Sequence, residues 1–321
     1  MQTFKAIKTV YGYLPPEVRK ILHRISGQSV TEILQQSVRL DMPGYGGGLD
    51  NFHKGIIENL IAMHRENILH ISQFKYSYPT AGSEEGIREY MSQLALRGVK
   101  TIYVLRGDYE GYDEVAKTRG IRTIYLNMEI NPRELPRGHW FISNPSARNG
   151  NWLPDGFIYD ICETGHKVFL DLSYFGSTDT AVLNVMHENI DAVAISFSKP
   201  YGLFYQRIGF LFSRNPIVSL SANKWFKCVP SLMIADRIIQ ELDHESFARK
   251  YKEIQRKIVN QTNEEHGTAL RPSDTFLLAW MPSSKIRPSH QKKLDPFWRG
   301  TNYRFCLTPY FIEHEQKGEK Q

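Results

Sequence analysis

Lys199 follows the apolar run DAVAISFS (191–198) inside SFSKPYGLFYQRIGF (196–210), with Arg207 eight residues further on. An ammonium group is costly to bury, so lysine seldom closes a core strand without a task. A primary amine in that position suits covalent capture of a carbonyl compound. Other polar residues fall at equivalent places. Asp171 and then Tyr174 follow HKVFL (166–170), Asn144 follows HWFIS (139–143), and Tyr109 lies in the loop after KTIYVL (100–105). In an open parallel sheet a ligand sits beyond the carboxyl ends of the strands, where these residues would meet.

An amine anchor, a carboxylate and aromatic rings at one crevice fit the needs of pyridoxal 5′-phosphate (PLP). Its aldehyde takes the lysine, its ring nitrogen needs a counter-charge, and its phosphate needs several donors. Asp171 is expected to keep the ring nitrogen protonated, since a carboxylate favours a neighbouring cation. Tyr174 is expected to donate to the ring oxygen and Tyr109 to stack on the ring face. For the phosphate, Ala81, Gly82 and Ser83 precede a helical stretch in TAGSEEGIREYM (80–91), where amides favour an anion. Ser196, Ser198 and Arg207 complete the expected cradle, the guanidinium giving a bidentate grip.

The elements that must position these side chains follow from periodicity. The runs at 100–105, 121–126, 139–143, 166–172, 191–198 and 206–213 are rich in Val, Ile, Leu, Phe and Tyr and are predicted as buried strands. Between them the patterns predict helices over 84–96, 112–119, 155–164 and 181–188, several of them stopped by Gly98, Gly120 and Gly165. Such alternation predicts an α/β fold, a mostly parallel sheet with helices on both faces. Before it, residues 1–50 are expected to form an N-terminal arm contributing to a small lobe. The large cofactor-binding domain is expected over 51–220. After Pro216 a long helix over 230–264 and a strand-like YRFCLTPYF (303–311) predict a smaller, shortened α+β lobe over 221–321.

The strings TAGSEEGI, GDYEGY, DLSY and SFSKPYGLFYQRIGF together resemble the aspartate aminotransferase superfamily, the class I/II aminotransferases of PLP fold type I. The last is the most specific, matching S-x-S-K-x-x-G-(x)4-R-x-G over 196–209. The resemblance implies that Lys199 forms the Schiff base, that Asp171 meets the ring nitrogen, Tyr174 the ring oxygen and Arg207 the phosphate, and that Arg304 binds the substrate's α-carboxylate. It further implies a homodimer with a shared active site, in which Tyr45 is a candidate to reach the neighbouring subunit's phosphate. The chain departs from the pattern in NPSARNG (144–150), where Ala147 stands in place of an asparagine that contacts the cofactor; Asn144 and Asn149 are the candidate substitutes.

The resemblance implies amino transfer between an amino acid and a 2-oxo acid. The altered segment keeps open a PLP-dependent lyase, decarboxylase or cyclising enzyme, and the shortened lobe a non-catalytic PLP-binding relative. Other classes fit less well. Over 321 residues the net charge is +6, but the basic residues are scattered among 34 acidic ones without a basic stripe, so no nucleic-acid partner is expected. Cys162, Cys228 and Cys306 form no metal or disulfide spacing, and no metal is expected. No apolar run approaches membrane-spanning length and the N-terminus lacks a secretory pattern, so no membrane partner and a cytoplasmic location are expected. PGYGGG (43–48) lacks the G-K-[ST] ending of a phosphate loop. His139, His166 and Cys162 are expected to be structural.

Overall fold

A computed structural model describes residues 4–25, 31, 48–179, 181–223, 227–285 and 294–318. In chain order the first half comprises α1 (Pro16–Arg24), α2 (Gly48–His64), β1 (Ile68–Leu69), β2 (Tyr76–Thr80), α3 (Ser83–Leu96), β3 (Thr101–Leu105), α4 (Gly111–Thr118), β4 (Arg122–Leu126) and β5 (His139–Ser143). Then come α5 (Phe157–Glu163), β6 (Lys167–Leu172), β7 (Leu183–Asn184), β8 (Ile190–Ser196), β9 (Gly209–Ser213), α6 (Val218–Ala222), α7 (Val229–Glu241) and α8 (His244–His266). The chain closes with β10 (Arg271–Pro272), β11 (Leu278–Pro282), β12 (Asn302–Cys306) and α9 (Thr308–Gly318).

Seven strands form the central sheet in the order β2-β9-β8-β6-β5-β3-β4, and β9 runs antiparallel to both of its neighbours. The pairs β3–β4, β3–β5, β5–β6 and β6–β8 are parallel. The period-2 alternation of strands explains why both faces are apolar. Trp140 and Ile142 of β5, Val193 and Ile195 of β8, and Phe210 and Phe212 of β9 enter one core; Phe141, Ala192, Ala194 and Leu211 enter the other, against α3 and α4. Trp140 and Phe141 are fully buried, and each such side chain stabilises the fold by roughly 2–3 kcal/mol.

One irregularity sets the register of the site. Val168 faces Ile190 but Phe169 faces Ala192, so Asp191 is the extra residue of a bulge. Its buried carboxylate is satisfied by the hydroxyl of Tyr90 at 2.6 Å and the amide of Asn215 at 3.0 Å. Beyond the bulge Asp171 pairs with Ala194 and Leu172 with Ile195, which brings the ends of β6 and β8 level.

A second, antiparallel sheet has the order β10-β11-β12. Ile7 exchanges backbone hydrogen bonds with Cys306 of β12, which ties the N-terminal segment to this sheet. That segment also touches the lysine loop backbone to backbone: a Cβ on Gly12 would stand 2.3 Å from the Ser198 carbonyl, and one on Gly202 equally close to that of Tyr13.

Three sequence expectations are corrected. Residues 181–188 form no helix but contain β7, which pairs in parallel with β1; the run, with Val182 and Val185 flanking β7, finds a strand partner instead of a helical face. The single helix expected over 230–264 is two, α7 and α8, because Asp243 caps the second by accepting from the Ser246 amide at 3.1 Å. The stretch 303–311 is strand only to Cys306 and then turns into α9. Tyr45 lies outside the described residues. No helix among the described residues is long and apolar enough to cross a membrane.

Candidate active site

The parallel strands end along one edge of the sheet, and the chemistry-bearing residues collect there. Asp171, 3% exposed, sits at the end of β6. Its carboxylate accepts from the Tyr112 hydroxyl at 2.9 Å, the Ser173 amide at 3.0 Å and the Ser173 hydroxyl at 2.5 Å. Lys199 leaves the end of β8 with its Nζ 4.4 Å from the ring centre of Tyr174 and 5.5 Å from that of Tyr109. The amine therefore sits between two aromatic faces, next to the turn that carries Asp171. Such faces hold an ammonium electrostatically without neutralising it.

Tyr109 caps the loop after β3. Its hydroxyl donates to Glu84 at 2.8 Å, and burial raises its pKa, helped by the Glu84 charge. Its ring crosses the start of α4, where a Cβ on Gly111 would fall 2.4 Å from the ring; only glycine admits that arrangement. Tyr112 lies wholly buried one turn on. Desolvation raises its pKa well above the ordinary phenol value and the Asp171 charge adds to this, so it stays a donor to Asp171 at neutral pH.

The opposite side is built from the β2–α3 turn and the start of β9. Gly82 has φ +79°, and a Cβ there would stand 3.0 Å from Nη2 of Arg207. Arg207 itself adopts φ +51°, the left-handed conformation that non-glycine residues rarely take. A Cβ on Gly209 would stand 2.7 Å from the Gly82 backbone. Gly209 thus lets the start of β9 approach the Gly82 backbone, and Gly82, at the N-terminus of α3, leaves room for the guanidinium. Ser196 and Ser198 are buried, the Ser196 hydroxyl accepts from the Ser198 amide at 3.2 Å, and the hydroxyls of Ser198 and Thr80 are buried without a hydrogen-bond partner.

Two cradle residues are engaged otherwise than the sequence predicts. The Ala81 amide donates to Glu85 at 2.6 Å, so this donor is committed to the helix's own first turn. The Ser83 hydroxyl is bonded to that of Ser173 at 2.7 Å, which joins it to the Asp171 network. The Gly82 and Ser83 amides remain at the helix start.

In 144–150, the Asn144 amide donates to the Asp171 carbonyl at 3.0 Å, and its side-chain oxygen accepts from Leu153 at 3.0 Å. Asn149 turns its side chain into its own loop, accepting from the Asn151 amide at 3.1 Å. Ala147 is buried, and its carbonyl accepts from Nη1 of Arg304, whose Nη2 donates to the Lys8 carbonyl at 3.2 Å. Burial lowers the pKa of Arg304, while the nearby Tyr174 acts in the opposite sense.

Sequence reasoning missed four residues here. Tyr112, Ser173, Asp108 and Ser143 form the polar support. Asp108 is 4% exposed and accepts from the Ser143 hydroxyl, the Ser143 amide at 3.2 Å and the Tyr109 amide at 2.8 Å. Burial pushes its pKa up to about 6 against those hydrogen bonds. The Ser143 hydroxyl in turn accepts from the Ala147 amide at 2.6 Å. The only sequence signal was position: Asp108 and Tyr112 bracket Tyr109, and Ser173 lies inside DLSY. His166 accepts from the Gly138 amide at 3.1 Å, and Cys162 is a buried residue of α5.

No protein-family model and no curated protein sequence matches the chain. Solved structures do. The chain is similar to aspartate aminotransferase from Thermus thermophilus with maleate, at TM-score 0.67 and 13% identity over 94% of this chain and 86% of that one. The fold is PLP fold type I. Within fold type I it is also similar to N-succinyldiaminopimelate aminotransferase from Mycobacterium tuberculosis, at TM-score 0.66 and 14% identity over 92% of this chain and 86% of that one. A third fold-type-I relative in shape is L-threonine-O-3-phosphate decarboxylase from Porphyromonas gingivalis, at TM-score 0.56 and 15% identity over 86% of this chain and 97% of that one. Identities this low establish the architecture, and the reaction has to be argued from the site.

Proposed function

We propose that the chain is a PLP-dependent aminotransferase that moves an amino group between an amino acid and a 2-oxo acid, with Lys199 as the anchoring amine. The observation that carries the reading is the Lys199 amine, 4.4 Å from the ring centre of Tyr174, which lies three residues after an Asp171 carboxylate braced by Tyr112 and Ser173. A surface lysine would have no use for a buried carboxylate held in one orientation by three donors.

The residues present fit the cofactor. The buried hydroxyls of Ser198 and Thr80 have no hydrogen-bond partner, and the Arg207 guanidinium packs against Gly82. Buried donors are rarely left so, and a dianionic phosphate would satisfy them. Ser196, Ser198, Arg207 and the amides of Gly82 and Ser83 would hold that phosphate. Asp171 would hold the ring nitrogen, Tyr174 the ring oxygen and Tyr109 one ring face. Asn144, bonded to Asp171 through its backbone, is better placed for the missing asparagine than Asn149.

When bound, PLP supplies an aldehyde carbon for the amine and a ring that withdraws electrons from the substrate's Cα. Asp171 keeps that withdrawal strong by accepting the ring N–H. Lys199 would take the proton from the substrate's Cα, between the rings of Tyr174 and Tyr109. Arg304 orients the α-carboxylate so that the Cα–H bond is the one to break. Within this reading the protein is a homodimer, testable by sedimentation.

A decarboxylase reading has one observation in its favour. Arg304 already gives Nη1 and Nη2 to the carbonyls of Ala147 and Lys8, which leaves fewer donors to restrain a substrate carboxylate. Incubation with amino acids and 2-oxoglutarate decides: glutamate together with a new 2-oxo acid supports amino transfer, and release of CO2 without them supports decarboxylation.

A further inference from the structure

Lys199 and Tyr201 share one turn, 198–201, at the end of β8. Tyr201 is 1% exposed, and its hydroxyl is hydrogen-bonded at 2.9 Å to Nδ1 of His244, the first residue of α8. Its ring meets those of Phe197 and His244 edge-on, at 5.0 and 5.5 Å between centres. A phenylalanine would fill the same space. The hydroxyl adds only a buried polar atom that has to be satisfied, and its partner comes from 43 residues further along the chain.

The same oxygen faces the neighbouring turn. Gly176 has φ +89°, and a Cβ there would stand 2.8 Å from the Tyr201 hydroxyl oxygen and 3.4 Å from Cβ of Pro200. Glycine therefore lets the lysine turn close on the segment that carries Tyr174, whose ring centre is 4.4 Å from Nζ of Lys199. Rings join the two turns from behind as well. Phe175 meets His64, the last residue of α2, edge-on at 4.9 Å, and His64 lies 6.5 Å from His244. The circuit runs from Tyr174 through Phe175, His64, His244 and Tyr201 back to the turn of Lys199. Burial raises the pKa of Tyr201 and lowers that of His244 to about 4, against the carbonyls of Ile239 and Ile238 and the charge of Asp243. At neutral pH a phenol thus meets an uncharged imidazole, and their hydrogen bond gives the circuit a directional link that ring contacts lack.

We propose that Tyr201 and His244 are positioning residues for Lys199: their hydrogen bond seats the lysine turn against the turn of Tyr174, which keeps the amine between the Tyr174 and Tyr109 rings. The start of α8 thereby controls an amine carried by the central sheet. The consequence for the reaction rests on Lys199 being the working amine, whereas the position of that amine is testable without cofactor.

The test is the acetylation rate of Lys199 in the full-length, cofactor-free protein under a limiting pulse of acetic anhydride, read by peptide mass mapping. Lys54, with its side chain 72% exposed on α2, is the internal reference. Tyr201→Phe, which removes one oxygen and keeps the ring, and His244→Leu are each expected to raise the Lys199 rate relative to Lys54. The rise should be roughly twofold to tenfold, the range that one hydrogen bond sets. His244→Asn, whose amide can still pair with the hydroxyl, is expected to restore most of the native protection. The double variant Tyr201→Phe/His244→Leu should exceed neither single variant, because both remove the same bond. A native Lys199 rate in Tyr201→Phe overturns the proposal, whether or not His244→Leu folds. So does a rise shared by lysines across the chain, which marks general loosening, and so do single effects that add in the double variant. Failure of the cofactor reading shows separately, as a PLP-treated protein without visible absorbance, while acetylation still decides what holds the amine.

Discussion

Tyr112 donates its hydroxyl to Asp171 at 2.9 Å from the first turn of α4, so the carboxylate at the end of β6 is steered by a residue from the next layer. Desolvation and the Asp171 charge both raise the pKa of Tyr112, which secures it as the donor. Replacing it with Phe leaves a buried carboxylate oxygen with one donor fewer. Tyr112→Phe is expected to lower stability by about 1–3 kcal/mol and to weaken PLP retention, read by urea unfolding and by dialysis followed by absorbance. Unchanged retention would show that Asp171 needs no such brace.

The proposed phosphate cradle depends on two backbones meeting. A methyl group on Gly209 would press on the Gly82 backbone at 2.7 Å, where no flexible side chain can give way. Gly209→Ala is expected to open the cradle around Arg207 and lower PLP affinity by at least about tenfold, a displacement worth about 1.4 kcal/mol or more. Gly55→Ala, at a helical glycine whose Cβ would meet nothing within 4 Å, serves as control and should retain the cofactor. Fluorescence titration with PLP separates the two.

Asp108 has its pKa pushed up to about 6 by burial, against an unfolded value near 4. Between these values the folded chain holds a proton that the unfolded chain has released, so this group's contribution to stability falls as pH rises. The loss across that window is on the order of 3 kcal/mol. The unfolding free energy of the native protein minus that of Asp108→Asn should therefore decline from about pH 4 to about pH 6. A difference independent of pH would place Asp108 among ordinary ionised carboxylates.

His64 and His244 act with the opposite sign. Burial lowers the first to about 3, with His244 adding to the shift, and lowers the second to about 4 against the charge of Asp243. Their rings lie 6.5 Å apart, and His244 is bonded to the Tyr201 hydroxyl at 2.9 Å, two residues beyond Lys199. Below about pH 6.5 the unfolded chain takes up protons that the folded chain refuses, so stability is present above that value and is lost on acidification. Their combined shift exceeds that of Asp108. Net destabilisation from pH 6.5 to 4 is expected, and it should be smaller in His64→Gln/His244→Gln. Urea unfolding at a series of pH values checks it.

Much of the large sheet was legible because its strands carry unbroken apolar runs. The observed β3, β4, β5 and β6 differ from expectation by at most one residue at an end, and the Lys199 amine lies over the rings of Tyr174 and Tyr109. What was not legible depended on tertiary partners. β2, with Pro79 as the fourth residue of YSYPT, reads poorly as a strand and exists because β9 supplies a ladder at the sheet's edge. The polar support of Asp108, Ser143 and Ser173 is invisible in sequence, since each residue type is common in loops and gains meaning only through burial.

The account stands on the amine of Lys199. Borohydride treatment of the PLP-loaded protein, followed by peptide mass mapping, is predicted to leave a pyridoxyl group on the peptide containing Lys199, and Lys199→Ala should lose both the label and the visible absorbance. A label on another lysine, or a Lys199→Ala variant with the native spectrum, would contradict it.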